Sequence, residues 1–371
     1  MAGYGGAVFI PIRFTPHVNY ITRNLFGNVP LRSVAHRQEV LCKEENVDAR
    51  PAIVVPGQLD RIIGTDEGTT IELEIFAATS CKLPTAPTIA YHIKDAIVSD
   101  GSIYQGRFKA FISARSFFKY PTLSRKTHHL KVAGLASSHL ASRFFGHWLV
   151  DDCAQYLLAE EDGKPLCFRG PVYSEHRSIY ETYLGQDWTP TDRARIDDLI
   201  VYQDFYWGIH QNSLRRSLTR SLRAKARARL PSSGSQLLVY LRRGRAGKPR
   251  TIQNEEQLTD ELAKRGFHIV DVEVANLENV LAILANAKIV VSLEGSHVTH
   301  CIYSVPENSG LILLQPPNRF LGFHRGWTAA ADVWFGFAVG TEGEFGFCFS
   351  PSEVLSTTDL MLGSIERVHA A

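Results

Sequence analysis

His147 and Asp151 stand four residues apart, a spacing that on a helix brings an imidazole and a carboxylate to one face. Such a carboxylate can orient the ring and hold its charged form, and the ring can then accept a proton from an attacking hydroxyl. On spacing alone, a locally satisfied histidine at a helix start is the better answer. Asp152, the neighbouring alternative, points elsewhere on the helix.

A second group of residues is cationic. Arg242, Arg243 and Arg245 follow an apolar run, with Arg250 and then Asn254-Glu255 further on. Guanidinium forks at a strand end match the oxygens of a diphosphate. A solvated basic loop fits the same residues, and Asn254 could equally cap the helix expected from Glu255. A third group is Glu294-Gly295-Ser296-His297, where an apolar strand runs directly into a helix start. Gly295 permits close backbone approach, free amides at a helix start attract phosphate, and Glu294 at the strand tip could take ribose or sugar hydroxyls. An ordinary strand–turn–helix with Ser296 as cap is the plain alternative. Neither the G-x-G-x-x-G fingerprint nor the G-x-x-x-x-G-K-[ST] loop is present.

The elements that must position these groups alternate regularly in the second half of the chain. Strands are expected at Gln236–Leu241, His268–Val272, Lys288–Leu293 and Gly310–Leu314, and helices at Glu255–Arg265, Leu277–Ala287 and Ser296–Tyr303. Short loops between them imply a parallel sheet covered on both faces, with ligands beyond the carboxyl ends of its strands. The run Trp327–Phe349, rich in glycine and aromatics, reads as core strands or a helix-to-strand return. Further upstream, a helix is expected through Ala159 after the short run Val132–Leu135. The start of the chain is β-rich: Val8–Phe14, Ala52–Pro56, an alternating strand at Thr69–Phe76, and a hairpin about Asp100-Gly101. Between Phe205 and Asn254 the chain holds 12 Lys or Arg residues and no acid. Within it, Leu214–Leu230 reads as a basic helix: a solvated linker first, a surface for anionic lipid second, a nucleic-acid patch last.

Composition excludes several classes. The 371 residues carry a net charge of +2 and are 44% hydrophobic, so neither a disordered chain nor a nucleic-acid-coating protein is indicated. The six cysteines form no C-x-x-C pair, and none of the remaining histidines, such as His128, His129 and His324, shows metal-ligand spacing. With no spanning apolar stretch and no leader pattern at Met1–Arg13, a cytoplasmic protein is expected, with membrane contact only at the surface.

Taken in order, these pieces resemble glycosyltransferase family 61, in its bacterial capsule and polysaccharide-biosynthesis branch. The matching segments are Phe145-Gly-His-Trp-Leu-Val-Asp-Asp152, Tyr240–Arg243 through Arg250 and Asn254-Glu255, Gly266–Val270, Leu277-Glu278-Asn279, Ala287–His300 and Leu314-Gln-Pro-Pro317. Where many members carry His-Gly-Ala-Gly-Leu-Thr-Asn, this chain has Glu294-Gly-Ser-His-Val-Thr-His300. The resemblance implies an α/β, GT-B-type fold with two Rossmann-like domains facing a cleft, here with a β-rich N-terminal segment. It implies an acceptor-side domain over 1–205, a basic linker helix over 206–235 and a nucleotide-sugar-binding domain over 236–371. It further implies inversion at the anomeric carbon and a nucleotide-sugar donor, usually a UDP-sugar, with no essential metal and no other cofactor. His147 and Asp151 fall on the family's His-Trp-x-x-Asp motif and take the role of base and orienting partner. Arg242, Arg243, Arg250, Asn254, Glu294, Gly295, Ser296 and His297 would line the donor site. The partners so implied are the donor and a saccharide or lipid-linked acceptor, with peripheral membrane contact through 214–230 and no nucleic acid. A non-catalytic saccharide-binding or assembly subunit on the same fold is the alternative.

Overall fold

A computed structural model describes residues 15–99, 101–113, 127–168, 174–203, 211–244 and 250–370. The expected run at Val8–Phe14 and Arg245 lie outside the described residues. The chain condenses into two compact units. The first comprises Met1–Leu41, Thr88–Ser174 and Asp187–Phe205, and the second Cys42–Pro87, Glu175–Gln186 and Tyr206–Ala371. Residues 42–87 thus pack with the C-terminal part of the chain. Among the described residues, no helix is long and apolar enough to cross a membrane.

The first unit is built on a seven-stranded sheet. Its strands are β1 (Ala35–Cys42), β2 (Thr88–Ser99), β3 (Ser102–Gln105), β4 (Phe108–Phe111), β5 (His128–Leu135), β6 (Lys164–Leu166) and β7 (Arg193–Gln203). They lie in the order β4-β3-β2-β7-β5-β6, with β1 also on β2. The hairpin expectation holds, since Ser99 pairs with Ser102 and Ile97 with Tyr104. The Rossmann-like expectation for this half meets a sheet that is only partly parallel. β2 runs antiparallel to β3 and β7, whereas β5 runs parallel to both β6 and β7, so the sheet is mixed. The parallel part contains a β–helix–β crossover from β5 through the helical segment 145–162 to β6. That segment lies directly over the strand. A Cβ on Gly134 would stand 2.5 Å from the Cα of Ala159, so only glycine admits the helix at this distance.

The second unit carries the expected parallel sheet: β8 (Leu237–Arg242), β9 (Phe267–Asp271), β10 (Ala287–Leu293), β11 (Gly310–Gln315) and β12 (Trp334–Val339). All four pairings are parallel, in the order β9-β8-β10-β11-β12. The connection direction therefore reverses between β8 and β10, which opens a crevice beyond their carboxyl ends. Both faces are covered: Leu258, Leu262, Val354, Met361 and Ile365 pack with Tyr240, Val291 and Ile312 on one face, and Val239, Val290 and Leu311, which point the other way, are buried as well. Such two-sided burial explains the continuous apolar run of β10, every residue of which is buried except Lys288.

Two sequence expectations fail here for identifiable reasons. Thr69–Phe76 is not a strand; Ile71–Thr79 is a helix. Thr70 caps it by accepting from the amide of Leu73 at 3.3 Å, and Glu72 and Glu74 sit in its positive first turn. The alternation misleads because Leu73 is exposed, whereas Glu74 is buried and accepts from the amide of Gly322 (2.7 Å) and the hydroxyl of Thr69 (2.8 Å). Ala52–Pro56 contributes a single bridge, Ile53 to Gly336, at the edge of β12.

The basic helix exists, over Ser213–Arg227, but it is no free linker. Leu218, Leu222 and Ala226 are buried, and so are Arg215 and Arg223. Arg223 donates to the carbonyls of Ile302 and Val305, and Arg227 to those of Ala285 (2.9 Å) and Ser304 (2.5 Å). These acceptors belong to the ends of Leu277–Leu284 and Cys301–Ser304, where helical carbonyls have no partner of their own. The charge was legible; its inward direction was not. Arg220, which is exposed, meets Asp332 at 3.2 Å.

Candidate functional site

The first candidate group lies within the β5–β6 crossover. Its helix opens with Phe145–His147, passes through a π-helical turn over Trp148–Asp152, and continues as an α-helix over Cys153–Asp162. Trp148 and Tyr156 anchor it against Trp188, with ring centroids 5.4 and 5.3 Å away. π turns of this kind are rare and concentrate at functional sites. Here the turn sets Nδ1 of His147 2.7 Å from Oδ2 of Asp151. Asp151 is buried, while the His147 side chain keeps about a fifth of its surface exposed. A carboxylate at Nδ1 makes that nitrogen the donor and leaves Nε2 as a lone pair. No acceptor or donor among the described residues engages Nε2. The histidine is thus held in the tautomer a general base requires.

The second group lies at the carboxyl ends of β8 and β10, where the sheet reverses. Arg243 donates to the carbonyl of Glu294 (3.3 Å), and Arg250 donates to that carbonyl (2.6 Å) and pairs with its carboxylate. Arg319, from the loop after β11, reaches the same carboxylate at 2.8 Å and Asp66 at 2.5 Å. His324 completes the ring, its Nε2 lying 3.2 Å from the other oxygen of Glu294. Burial alone would push the Glu294 carboxyl up, but the hydrogen bond from His324 and the charges of Arg250 and Arg319 hold it at about 2. Burial in turn lowers Arg250 to about 10. Three guanidiniums and the carboxylates of Glu294 and Asp66 thus meet at the strand tips. Nε of Arg250 and Nε of Arg319 are buried with no acceptor among the described residues.

Other expected donor-site residues are placed differently. Arg242 faces away: its guanidinium meets Glu256 (3.1 Å) and Thr259 (3.4 Å) on the helix Glu255–Lys264, on the side where Tyr240 donates to Glu255 (2.8 Å). Side chains two apart on a strand share a face, so Tyr240 and Arg242 go one way and Arg243 the other. Asn254 neither caps that helix nor faces the crevice. Its amide donates to the carbonyl of Phe349 (2.8 Å) and its oxygen accepts from the amide of Phe349 (3.0 Å). The Glu294 carboxylate is engaged by Arg250, Arg319 and His324 of its own unit. Ser296 is exposed at the start of a 3-10 turn over Ser296–His300, without capping through its side chain. His297 adjoins Gly295 and hydrogen-bonds Ser292 across 2.7 Å.

The expectation of ligands beyond the strand ends takes in Arg319, in a loop that could equally be plain, whereas His324 and Asp66 were passed over as site members. Arg319 and His324 follow the β11 strand end, and that position in a parallel sheet was the available signal. Nothing local marks Asp66, whose partner is 253 positions away. Among the described residues, no group of three or more His, Cys, Asp or Glu could hold a metal ion.

Residues 145–312 match the family model described as Glycosyltransferase 61. The matched stretch opens two residues before His147 and closes within β11, so it takes in the His147–Asp151 pair and the crevice from Arg243 to His297. It supports a Glycosyltransferase 61 domain over that part of the chain. Arg319 and His324 lie beyond it. Among curated proteins, none matches the chain.

Proposed function

We propose that the protein is an inverting glycosyltransferase that moves a sugar from a nucleotide-sugar, a UDP-sugar in the first instance, to a saccharide or lipid-linked saccharide. The observation that carries this reading is the convergence of Arg243, Arg250 and Arg319 on Glu294 at the point where the sheet order reverses. A diphosphate leaving group needs cationic charge in the transition state, and fixed guanidiniums supply it without a divalent ion. The other half of the chemistry is assigned to the first unit. Nε2 of His147 takes the proton of the acceptor hydroxyl. The acceptor oxygen bonds to the anomeric carbon as the bond to the diphosphate oxygen breaks, and the nucleoside diphosphate departs with the electron pair. Asp151 holds the ring and balances the imidazolium that forms. A GT-B architecture, a cytoplasmic location and a role in bacterial surface polysaccharide synthesis belong to the same proposal.

The test is turnover of a UDP-sugar panel by native protein, by His147→Ala and by Arg319→Ala. Loss of turnover with retained nucleotide binding in His147→Ala, and loss of nucleotide binding in Arg319→Ala, is the expected pattern. A protein that binds nucleotide but turns over no sugar with any acceptor fraction is instead a binding subunit.

A further inference from the structure

Gly295 separates two side chains of opposite hydrogen-bonding character. A Cβ built on this residue would lie 3.1 Å from Nδ1 of His297 and 3.4 Å from Cζ of Arg243, the two side chains nearest to it apart from its chain neighbours. The missing side chain therefore leaves a small space with an imidazole nitrogen on one side and a guanidinium on the other.

The hydrogen-bond network assigns the state of that nitrogen. Ser292, wholly buried at the end of β10, gives its one hydroxyl proton to the carbonyl of Leu241 at 2.7 Å. Its oxygen lies 2.7 Å from Nε2 of His297, so Nε2 must be the donor there and Nδ1 is left as an acceptor. Burial and the neighbouring Arg243 push the imidazole down to about 3, so the ring stays neutral at physiological pH. A phosphate oxygen, which carries no proton at that pH, has nothing to offer Nδ1. A hydroxyl does: it donates to His297 and accepts from Arg243.

Resting on the diphosphate reading above, we propose that Gly295, His297 and Arg243 form a slot that reads one hydroxyl of the nucleotide-sugar, on its ribose or its sugar. His297 is then a specificity residue rather than a phosphate ligand. Gly295 is required because a methyl group would fill the slot.

The experiment is a calorimetric comparison of native protein, His297→Phe and Gly295→Ala, with folding checked by thermal unfolding. Three probes are titrated: inorganic pyrophosphate, the tightest-binding of UDP, GDP, ADP and CDP, and the glucose ester of that nucleotide. Pyrophosphate should bind native protein and His297→Phe alike. A loss of about tenfold to a hundredfold for the nucleoside diphosphate places the hydroxyl on the ribose, and a loss confined to the glucose ester places it on the sugar. Equal affinities for all three probes, or a loss that includes pyrophosphate equally, overturns the slot. Failure of native protein to bind any probe overturns the diphosphate reading and the slot with it. Nitrogen NMR of the His297 ring gives a ligand-free check: the Nε2–H form should persist from pH 8 to about pH 5, and an Nδ1–H ring contradicts the assignment.

Discussion

Nδ1 of His147 and Oδ2 of Asp151 lie 2.7 Å apart across a π-helical turn, with the carboxylate buried and the far nitrogen of the ring unengaged by any described residue. If this pair activates the acceptor, His147→Ala should lower turnover by about 10²–10⁴-fold with nucleotide affinity within twofold of native. Asp151→Asn keeps the shape but lets the ring take the wrong tautomer, so it should also lower turnover. Steady-state rates beside calorimetry check both.

The arginines around Glu294 should separate by burial. Arg319 is partly open, whereas the side chain of Arg250 is nearly buried against a carboxylate that is itself buried. Breaking a buried ion pair by removing one partner costs about 3–5 kcal/mol. Arg250→Ala should therefore lower the unfolding free energy by that order. Arg319→Ala should cost less stability while weakening nucleoside diphosphate binding about tenfold or more. Denaturant unfolding and calorimetry read the two effects independently.

Arg242 and Asn254 give the converse case. Arg242→Ala removes a partly exposed pairing with Glu256 and should cost at most about 1 kcal/mol, with nucleotide affinity unchanged. Asn254→Ala should destabilise, by loss of its two bonds to Phe349, again without altering nucleotide affinity. A large affinity loss in either variant contradicts the strand alternation that turns Arg242 away.

Acid should destabilise the second unit in two steps. His297 is lowered from 6.5 to about 3, so below pH 6.5 the unfolded chain takes up a proton that the folded chain refuses. The stability it contributes is full above pH 6.5 and is lost as pH falls toward 3. Burial also drives His300 well below its ordinary value, adding to the same loss. Glu294, lowered from 4.5 to about 2, contributes stability above pH 4.5 that is lost as pH falls through 2. Thermal unfolding between pH 7 and pH 5 should show a falling midpoint in native protein and a shallower fall in His297→Phe.

How much of this was legible in the sequence depends on whether the determinant is local. The strands and helices from Leu237 to Gln315 are set by apolar runs and short polar loops, and they appear within three residues of expectation. The His147–Asp151 spacing is local as well. Which way a side chain faces at a strand end is not. Arg242 and Arg243 are equivalent in composition, and only the helix on one side and Glu294 on the other distinguish them. Helix Ile71–Thr79 was misread because its buried charge, Glu74, is satisfied by Gly322, far along the chain. The basic helix was misread for a related reason, since the acceptors of Arg223 lie about 80 positions away.

That last feature yields a further expectation. Arg223→Met removes two bonds to buried carbonyls and should destabilise by about 2–4 kcal/mol, measured by denaturant unfolding. Arg220→Ala and Arg229→Ala, at exposed positions, should leave stability nearly unchanged.

The central claim is that the crevice where the second sheet reverses holds the diphosphate of a nucleotide-sugar through its arginines. The most direct measurement is calorimetric titration of native protein and Arg319→Ala with UDP, GDP, CMP and ADP, each with and without EDTA. The account predicts that native protein binds one nucleoside diphosphate tightest, that EDTA leaves this binding unchanged, and that Arg319→Ala weakens it at least tenfold. Binding of none of the four, or binding that Arg319→Ala leaves intact, would contradict it.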